Sequence, residues 1–309
     1  MEVTNLEDNR QAASISFFKP VIRQLRCNGF YLGSEESRLF KSFMLFWTVV
    51  LKSLTLFNAV RYSFIFVGKD KLDGRLTSSL ALFFFYSYAA YTSLTLAFVL
   101  PKHFGRFQDL LESYIREYGT LPYPKKIKRK VRLFTLLFSV LYVSFMASAT
   151  AGINNAFPSL NRHMAPFTEY QGSLPKVLYV LVLSLVSLQL SSTHVLFNTV
   201  SFILIMEFRK VSKNLEKDMG NFERIFDPFC QRHKRLSLIS DQGNVINTHF
   251  AFATYVFGIP MICFLCYGII RGSLPNDELL FCSANLLTIT ALMIVVTVLG
   301  CVLSETVRV

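Results

Sequence analysis

Long apolar runs alternate with polar connectors along this chain, and six of the runs are long enough to cross a bilayer. They cover about residues 40–67, 76–100, 133–153, 174–206, 250–270 and 279–303. A run of eighteen or more apolar residues with few charges reads as a membrane-spanning helix. The longest, Leu174 to Met206, carries one Pro, one Lys and one His but no acid. At roughly 1.5 Å per residue it would measure about 50 Å as a helix, against a hydrocarbon core of about 30 Å. It is therefore expected to overshoot the membrane into the polar stretch that follows. The pattern predicts an all-α, polytopic transmembrane helix bundle with an N-terminal segment over 1–39, long connectors over 101–132 and 207–249, and a tail over 304–309.

Local signals refine these elements. The stretch Ser16 to Leu32 is mildly amphipathic; it either lies along the membrane surface or packs as a short helix on the bundle. Pro101 is expected to end the second helix, and Gly258 with Pro260 to kink the fifth. GIIRG, with Gly268 and Gly272, has the spacing of small residues that lets helices approach closely. The stretches 68–75 and 272–278 read as tight turns, and 154–173 as a polar cap holding His163 and Glu169 without metal-ligand spacing. No basic segment followed by an apolar core opens the chain, so no signal peptide is read.

Composition agrees with the pattern: 52% of residues are hydrophobic, 31 are Phe, and the mean hydropathy is +0.41. A formal charge of +12 would suggest nucleic acid in a soluble chain. Here its placement changes the reading, and no nucleic-acid partner is expected. Of the 32 Lys and Arg, 24 fall in the N-terminal segment (with Lys41 at its edge), the connectors 101–132 and 207–249, and the tail. Six fall in the other three connectors (with Lys176 at the edge of 154–173), and Lys52 and Arg61 stand deeper inside the first span. Positive charge marks the cytoplasmic side. Both termini are therefore expected in the cytoplasm of a multi-pass plasma-membrane protein. The six cysteines lie in or beside apolar runs or on that same side, so no disulfide framework is expected. Cys263 and Cys266 form a lone CxxC inside an apolar helix with no matching pair.

Candidate chemistry is confined to a few intramembrane polar residues. Lys52 and Arg61 each mark a functional possibility, against the plainer reading that their stems snorkel toward headgroups. Asn58 shares a helix face with Arg61. The second span is rich in aromatics, and a mid-membrane tyrosine hydroxyl needs a partner, on a neighbouring helix or in a ligand pocket. The fourth span carries Gln189, His194 and Asn198; a single His there is more simply a hydrogen-bonded packing residue than a ligand or proton carrier. No Asp or Glu falls well inside a span, and Glu207 stands at an edge. HExxH, GxSxG and P-loop patterns are all missing from the sequence. Neither an enzyme, nor a metal site, nor a cofactor is expected.

The chain resembles the insect gustatory receptors and their gustatory-receptor-like relatives, a family related to the insect odorant receptors. The resemblance rests on the Pro-to-Gly segment FKPVIRQLRCNGFYL before the first span, the basic second connector, the long fourth helix, and the order and spacing of the six spans. It covers nearly the whole chain, and its motifs are mostly topological. It implies a chemosensory, ligand-gated, non-selective cation channel, assembled as a homo- or hetero-tetramer with related subunits and opened by a small-molecule tastant or other chemical ligand. The family's pocket lies in the outward half, between the second and sixth spans. Mapped by depth, that region holds Tyr86, Ser148, Thr150, Tyr179, Gln189, Tyr267 and Asn285, each of which could equally be a packing residue. The family's seventh, pore-lining span ends near TYxxxxxQF; this sequence reaches Val309 without it, so six spans are expected, possible truncation before the pore helix included. The alternative reading is a polytopic carrier or a receptor of an unrelated family.

Overall fold

The computed structural model describes residues 18–27, 38–64, 74–119, 129–137, 140, 173–218, 222–271 and 274–308. They form seven helices, and no strand occurs among them. A short α1 (Lys19–Cys27) is followed by α2 (Arg38–Ser63) and the long α3 (Gly74–Tyr118). A helical piece over 129–137 is α4. Then come α5 (Ser173–Asp218), α6 (Phe222–Ile270) and α7 (Asn276–Arg308). Five of them, α2, α3, α5, α6 and α7, contain stretches long and apolar enough to cross a membrane. The protein is a multi-pass membrane bundle. The third expected span continues past α4 outside the described residues, as do the loop 154–172 and the candidate residues Ser148 and Thr150.

Helix lengths set the architecture. α3, α5 and α6 contain 45, 46 and 49 residues. At about 1.5 Å per residue each is more than twice as long as the hydrocarbon core is thick. The excess lies at the end where the basic connectors were read, called here the basic end. α5 carries the fourth apolar run straight through Glu207 to Asp218, and α6 starts at Phe222, so the connector 207–249 is mostly the ends of two helices. The expected stop at Pro101 is absent: α3 passes through it to Tyr118. An interior proline removes one backbone hydrogen bond and its ring crowds the carbonyl four residues back, a local cost that α3 absorbs. Pro101 stands exposed.

α3 and α6 share the most extensive interface, with α7, α2 and α5 packed around them. The largest core cluster lies toward the basic end. It joins Phe104, Phe107 and Leu111 of α3 to Val200, Leu204 and Phe208 of α5 and to Leu236 and Ile239 of α6. Beyond the membrane, removal of this apolar surface from water drives packing. Within the membrane, lipid is as apolar as leucine, so close fit and interhelical hydrogen bonds take over. Close fit is visible at two glycines. A Cβ at Gly243 would lie 3.0 Å from Val200 and 3.1 Å from Leu204 on α5, and one at Gly268 would lie 2.9 Å from the Thr77 hydroxyl on α3. Gly268 thus gives the GIIRG pattern its physical sense.

α1 resolves the choice left open for the amphipathic N-terminal stretch. Its apolar face, Val21 and Leu25, is buried together with Phe18 in the largest core cluster. Gln24 donates to the Ser191 hydroxyl of α5 at 3.4 Å, and the Trp47 indole of α2 donates to the Cys27 carbonyl at 3.0 Å. The helix packs on the bundle through its apolar face.

Candidate functional site

The buried polar residues form a seam through the middle of the bundle. From Leu190 to Ser201, every residue of α5 is buried. Such a run has no solvent-facing side, so its polar groups must be satisfied by neighbours. Gln189, one residue before it, is 1% exposed. Its Oε1 accepts from Thr55 of α2 at 3.1 Å and from Ser93 of α3 at 2.8 Å, which ties three helices together. Its Nε2 is buried with no hydrogen-bond partner among the described residues. One turn further along α2, Lys52 is buried at 7% exposure. That corrects the snorkelling reading for this residue: the stem lies against helices and does not reach for headgroups.

Aromatic residues surround the seam. Tyr86 of α3 is fully buried and stacks on Tyr62 of α2, with ring centres 4.9 Å apart and planes 15° from parallel. The Arg61 guanidinium stands 4.6 Å from the centre of the Tyr62 ring. The Tyr88 hydroxyl meets that of Thr254 on α6 at 3.2 Å, as a mid-membrane tyrosine requires. His194 bonds the Leu190 carbonyl through Nδ1 at 2.7 Å and packs its ring edge-on to Phe250 at 4.8 Å. It is the hydrogen-bonded packing residue that its single occurrence suggests. Asn58 likewise bonds within its own helix, to the Leu54 carbonyl at 2.9 Å.

The depth-mapped candidates therefore separate. Tyr86 and Gln189 belong to the interior where α2, α3 and α5 meet, with Arg61 linked to Tyr86 through Tyr62. Tyr267 lies near the outer end of α6 with Arg271 at 5.6 Å from its ring centre. Asn285 donates to the Phe281 carbonyl of its own helix at 2.8 Å. The hydrogen bonds and ring contacts described join neither to Gln189 or Tyr86. Tyr179 lies on α5, and its side chain falls outside the described residues. The sequence reading missed Thr55, Tyr62 and Ser93. A signal was present on α2, where Thr48, Lys52, Thr55, Ala59 and Tyr62 recur every three or four residues and are all buried. Glu278, read as the last residue of a tight turn, lies in the first turn of α7, which starts at Asn276, and is fully buried.

A second polar group closes the basic end. Arg232 of α6 donates through Nε to the Tyr114 hydroxyl of α3 at 2.8 Å, and its Nη2 stands 3.9 Å from the Glu207 carboxylate of α5. Its guanidinium also lies 5.4 Å from the Tyr118 ring centre. Arg235 and Glu117 pair nearby at 3.9 Å, both more exposed. No group of three or more His, Cys, Asp or Glu stands together among the described residues, and Cys263 and Cys266 are both free thiols.

No family model and no curated protein matches the sequence. Solved structures do match the arrangement of helices. The insect olfactory receptor OR5 from Machilis hrabei superposes with a TM-score of 0.65 at 11% identity, over 94% of this chain and 80% of that one. The chain has the insect olfactory receptor fold. The same receptor in complex with eugenol gives a TM-score of 0.69 at 11% identity, over 95% of this chain and 80% of that one. At this identity the receptor fold is shared while the side chains are largely different.

Proposed function

We propose that this chain is a chemosensory receptor subunit of gustatory type: a ligand-gated, non-selective cation channel of the plasma membrane, with a cytoplasmic N-terminus. The likeness of fold to an olfactory receptor, over 94% of the chain, carries this reading. The distribution of Lys and Arg supports the orientation, because the basic end gathers most of them. In this reading the ligand is a small organic molecule, and the solved complex of the similar receptor holds one, eugenol. The subunits assemble as a tetramer, with copies of this chain or with related receptor subunits.

The unpartnered Nε2 of Gln189 would donate to a ligand oxygen, and the Tyr62–Tyr86 stack would offer an aromatic wall. Ser148, Thr150, Tyr179, Tyr267 and Asn285 complete the proposed ligand region toward the outer face. The protein is read as a receptor and not as an enzyme, because hydroxyls, amides and aromatic rings of this kind hold a molecule without supplying an acid, a base or a nucleophile.

The test is expression in a cell line or oocyte, alone and with a related receptor subunit, under a panel of small organic compounds. The expected result is a dose-dependent cation current, reduced by Gln189→Leu at matched surface expression. Uptake of a labelled compound without any evoked current would replace the channel by a carrier.

A further inference from the structure

Two helices that meet at the basic end bring cations together along their seam. The Phe134 ring of α4 packs edge-on against Phe202 of α5, with ring centres 6.3 Å apart. Val131 of α4 is buried in the core cluster that holds Leu204 and Phe208 of α5. The two helices run antiparallel: α4 leads into the apolar run 133–153, and α5 leaves the run 174–206 for the basic end. Their ring contact sets the register of the residues beyond it. On α5, Met206, Arg209 and Lys213 follow Phe202 on one helix face, at helical spacing. On α4, Lys130 stands one turn before Phe134 on the face that packs against α5, flanked by Arg129 and Arg132. At roughly 1.5 Å per residue, Lys130 lies about 6 Å and Arg209 about 10 Å beyond the ring contact.

Arg129, Lys130, Arg132, Arg209 and Lys213 are all exposed, and among the described residues none of them is in an ion pair. Glu207 is near Arg209 in sequence, but it is buried on another face of α5 and turned to Arg232. The next acid on the Arg209 face is Glu216, about two turns further out. Like charges held together by packed helices repel. A multivalent anion between them relieves that repulsion, and guanidinium groups match phosphate oxygens in a bidentate fork. On the membrane side of these cations, Leu133, Leu136 and Leu137 of α4 are exposed. An anion carrying acyl chains can lay them along that apolar face, which a soluble phosphate cannot use.

We propose that the α4–α5 seam at the basic end binds the headgroup of a polyphosphorylated inositol phospholipid from the adjacent leaflet, with Lys130 and Arg209 on its phosphates. Several phosphates on one headgroup suit cations spread over two helices better than the single net charge of phosphatidylserine. The site is separate from the Gln189 seam and does not depend on the receptor reading.

The experiment uses the purified full chain in phosphatidylcholine vesicles containing a small fraction of phosphatidylinositol bisphosphate with a photoactivatable acyl chain. Labelled peptides are expected from α4 around Leu133 and Leu136. Unlabelled phosphatidylinositol bisphosphate should compete, and phosphatidylserine at matched charge should not. Removing one cation next to an anionic lipid surface weakens binding roughly fivefold. Lys130→Gln and Arg209→Gln are each expected to have that effect, and the double variant one on the order of twentyfold. Both side chains are exposed, so the melting temperature should not change. Lys102→Gln with Lys234→Gln removes the same charge from α3 and α6 and is expected to leave labelling unchanged. An equal fall in that control would overturn the proposal, because the attraction would then be that of the whole basic end. So would undiminished labelling in the Lys130 and Arg209 double variant. Competition by soluble inositol trisphosphate as strong as by the lipid would overturn the membrane source.

Discussion

Ser93 on α3 and Thr55 on α2 donate to one acceptor, the side-chain oxygen of Gln189 on α5, at 2.8 and 3.1 Å. Three helices thus meet at one buried amide inside the membrane. Interhelical hydrogen bonds in lipid contribute about 0.6 kcal/mol each on average, because the separated helices also find partners. Gln189→Leu is therefore expected to destabilise the bundle by only about 1 kcal/mol. The single Thr55 hydroxyl hydrogen is shared between Gln189 and the Leu51 carbonyl of its own helix at 2.8 Å; with Gln189 gone it turns to Leu51, so Thr55→Val adds little. A double-mutant cycle read by unfolding in detergent checks both statements.

The pair at the basic end behaves differently. Glu207 is 1% and Arg232 16% exposed in their side chains. Removing one partner of a buried pair leaves the other charge uncompensated. Arg232→Met or Glu207→Leu alone is expected to cost on the order of 3 kcal/mol. Replacing both together should recover most of that loss, since apolar packing can match a buried pair. Thermal unfolding of the three variants measures this. Equal losses in the single and double variants would show that the charges themselves are not what holds the site.

Two glycines on lipid-embedded helices are expected to respond in opposite directions to the same change. Gly268→Ala brings a methyl to 2.9 Å from the Thr77 hydroxyl and forces α3 and α6 apart, for about 1–3 kcal/mol of overpacking. Gly300→Ala meets nothing within 4 Å and should gain about 0.5–1 kcal/mol from reduced backbone freedom. Melting temperatures of the two variants, measured side by side, decide it.

The chain's single tryptophan reports on α1. Trp47 holds the Cys27 carbonyl at the end of that helix, and Leu25 is fully buried beneath it. Leu25→Asp places a charge in the core and is expected to release α1. The Trp47 emission maximum should then shift, while helix content by circular dichroism falls by no more than the nine residues of α1. An unchanged emission spectrum would mean that α1 stays docked without its apolar face.

Much of this protein could be read along the chain because a bilayer imposes one-dimensional rules. A spanning helix satisfies its own backbone, so its length and apolarity are local properties of the sequence. The long fourth run and the helical class both follow from that. Single-residue punctuation was less dependable. Pro101 reads as a stop, yet α3 runs through it to Tyr118, because one lost backbone bond is a small part of a helix held by tertiary packing along its length.

What only the tertiary structure decided is which polar residues meet. Gln189, Thr55 and Ser93 lie on three helices and are separated by up to 134 positions. No sequence period relates residues on different helices. Their meeting depends on how far each helix slides and turns against the next, which packing at Gly243 and Gly268 and the apolar core at the basic end determine. The same holds for Arg232 between Glu207 and Tyr114, and for the burial of Lys52 where a snorkelling stem was the plainer reading. The sequence by itself determined the helices, their order and the distribution of charge along them. The rotation of each helix about its axis was decided by three-dimensional fit, and that rotation separates a ligand-facing side chain from a packing one.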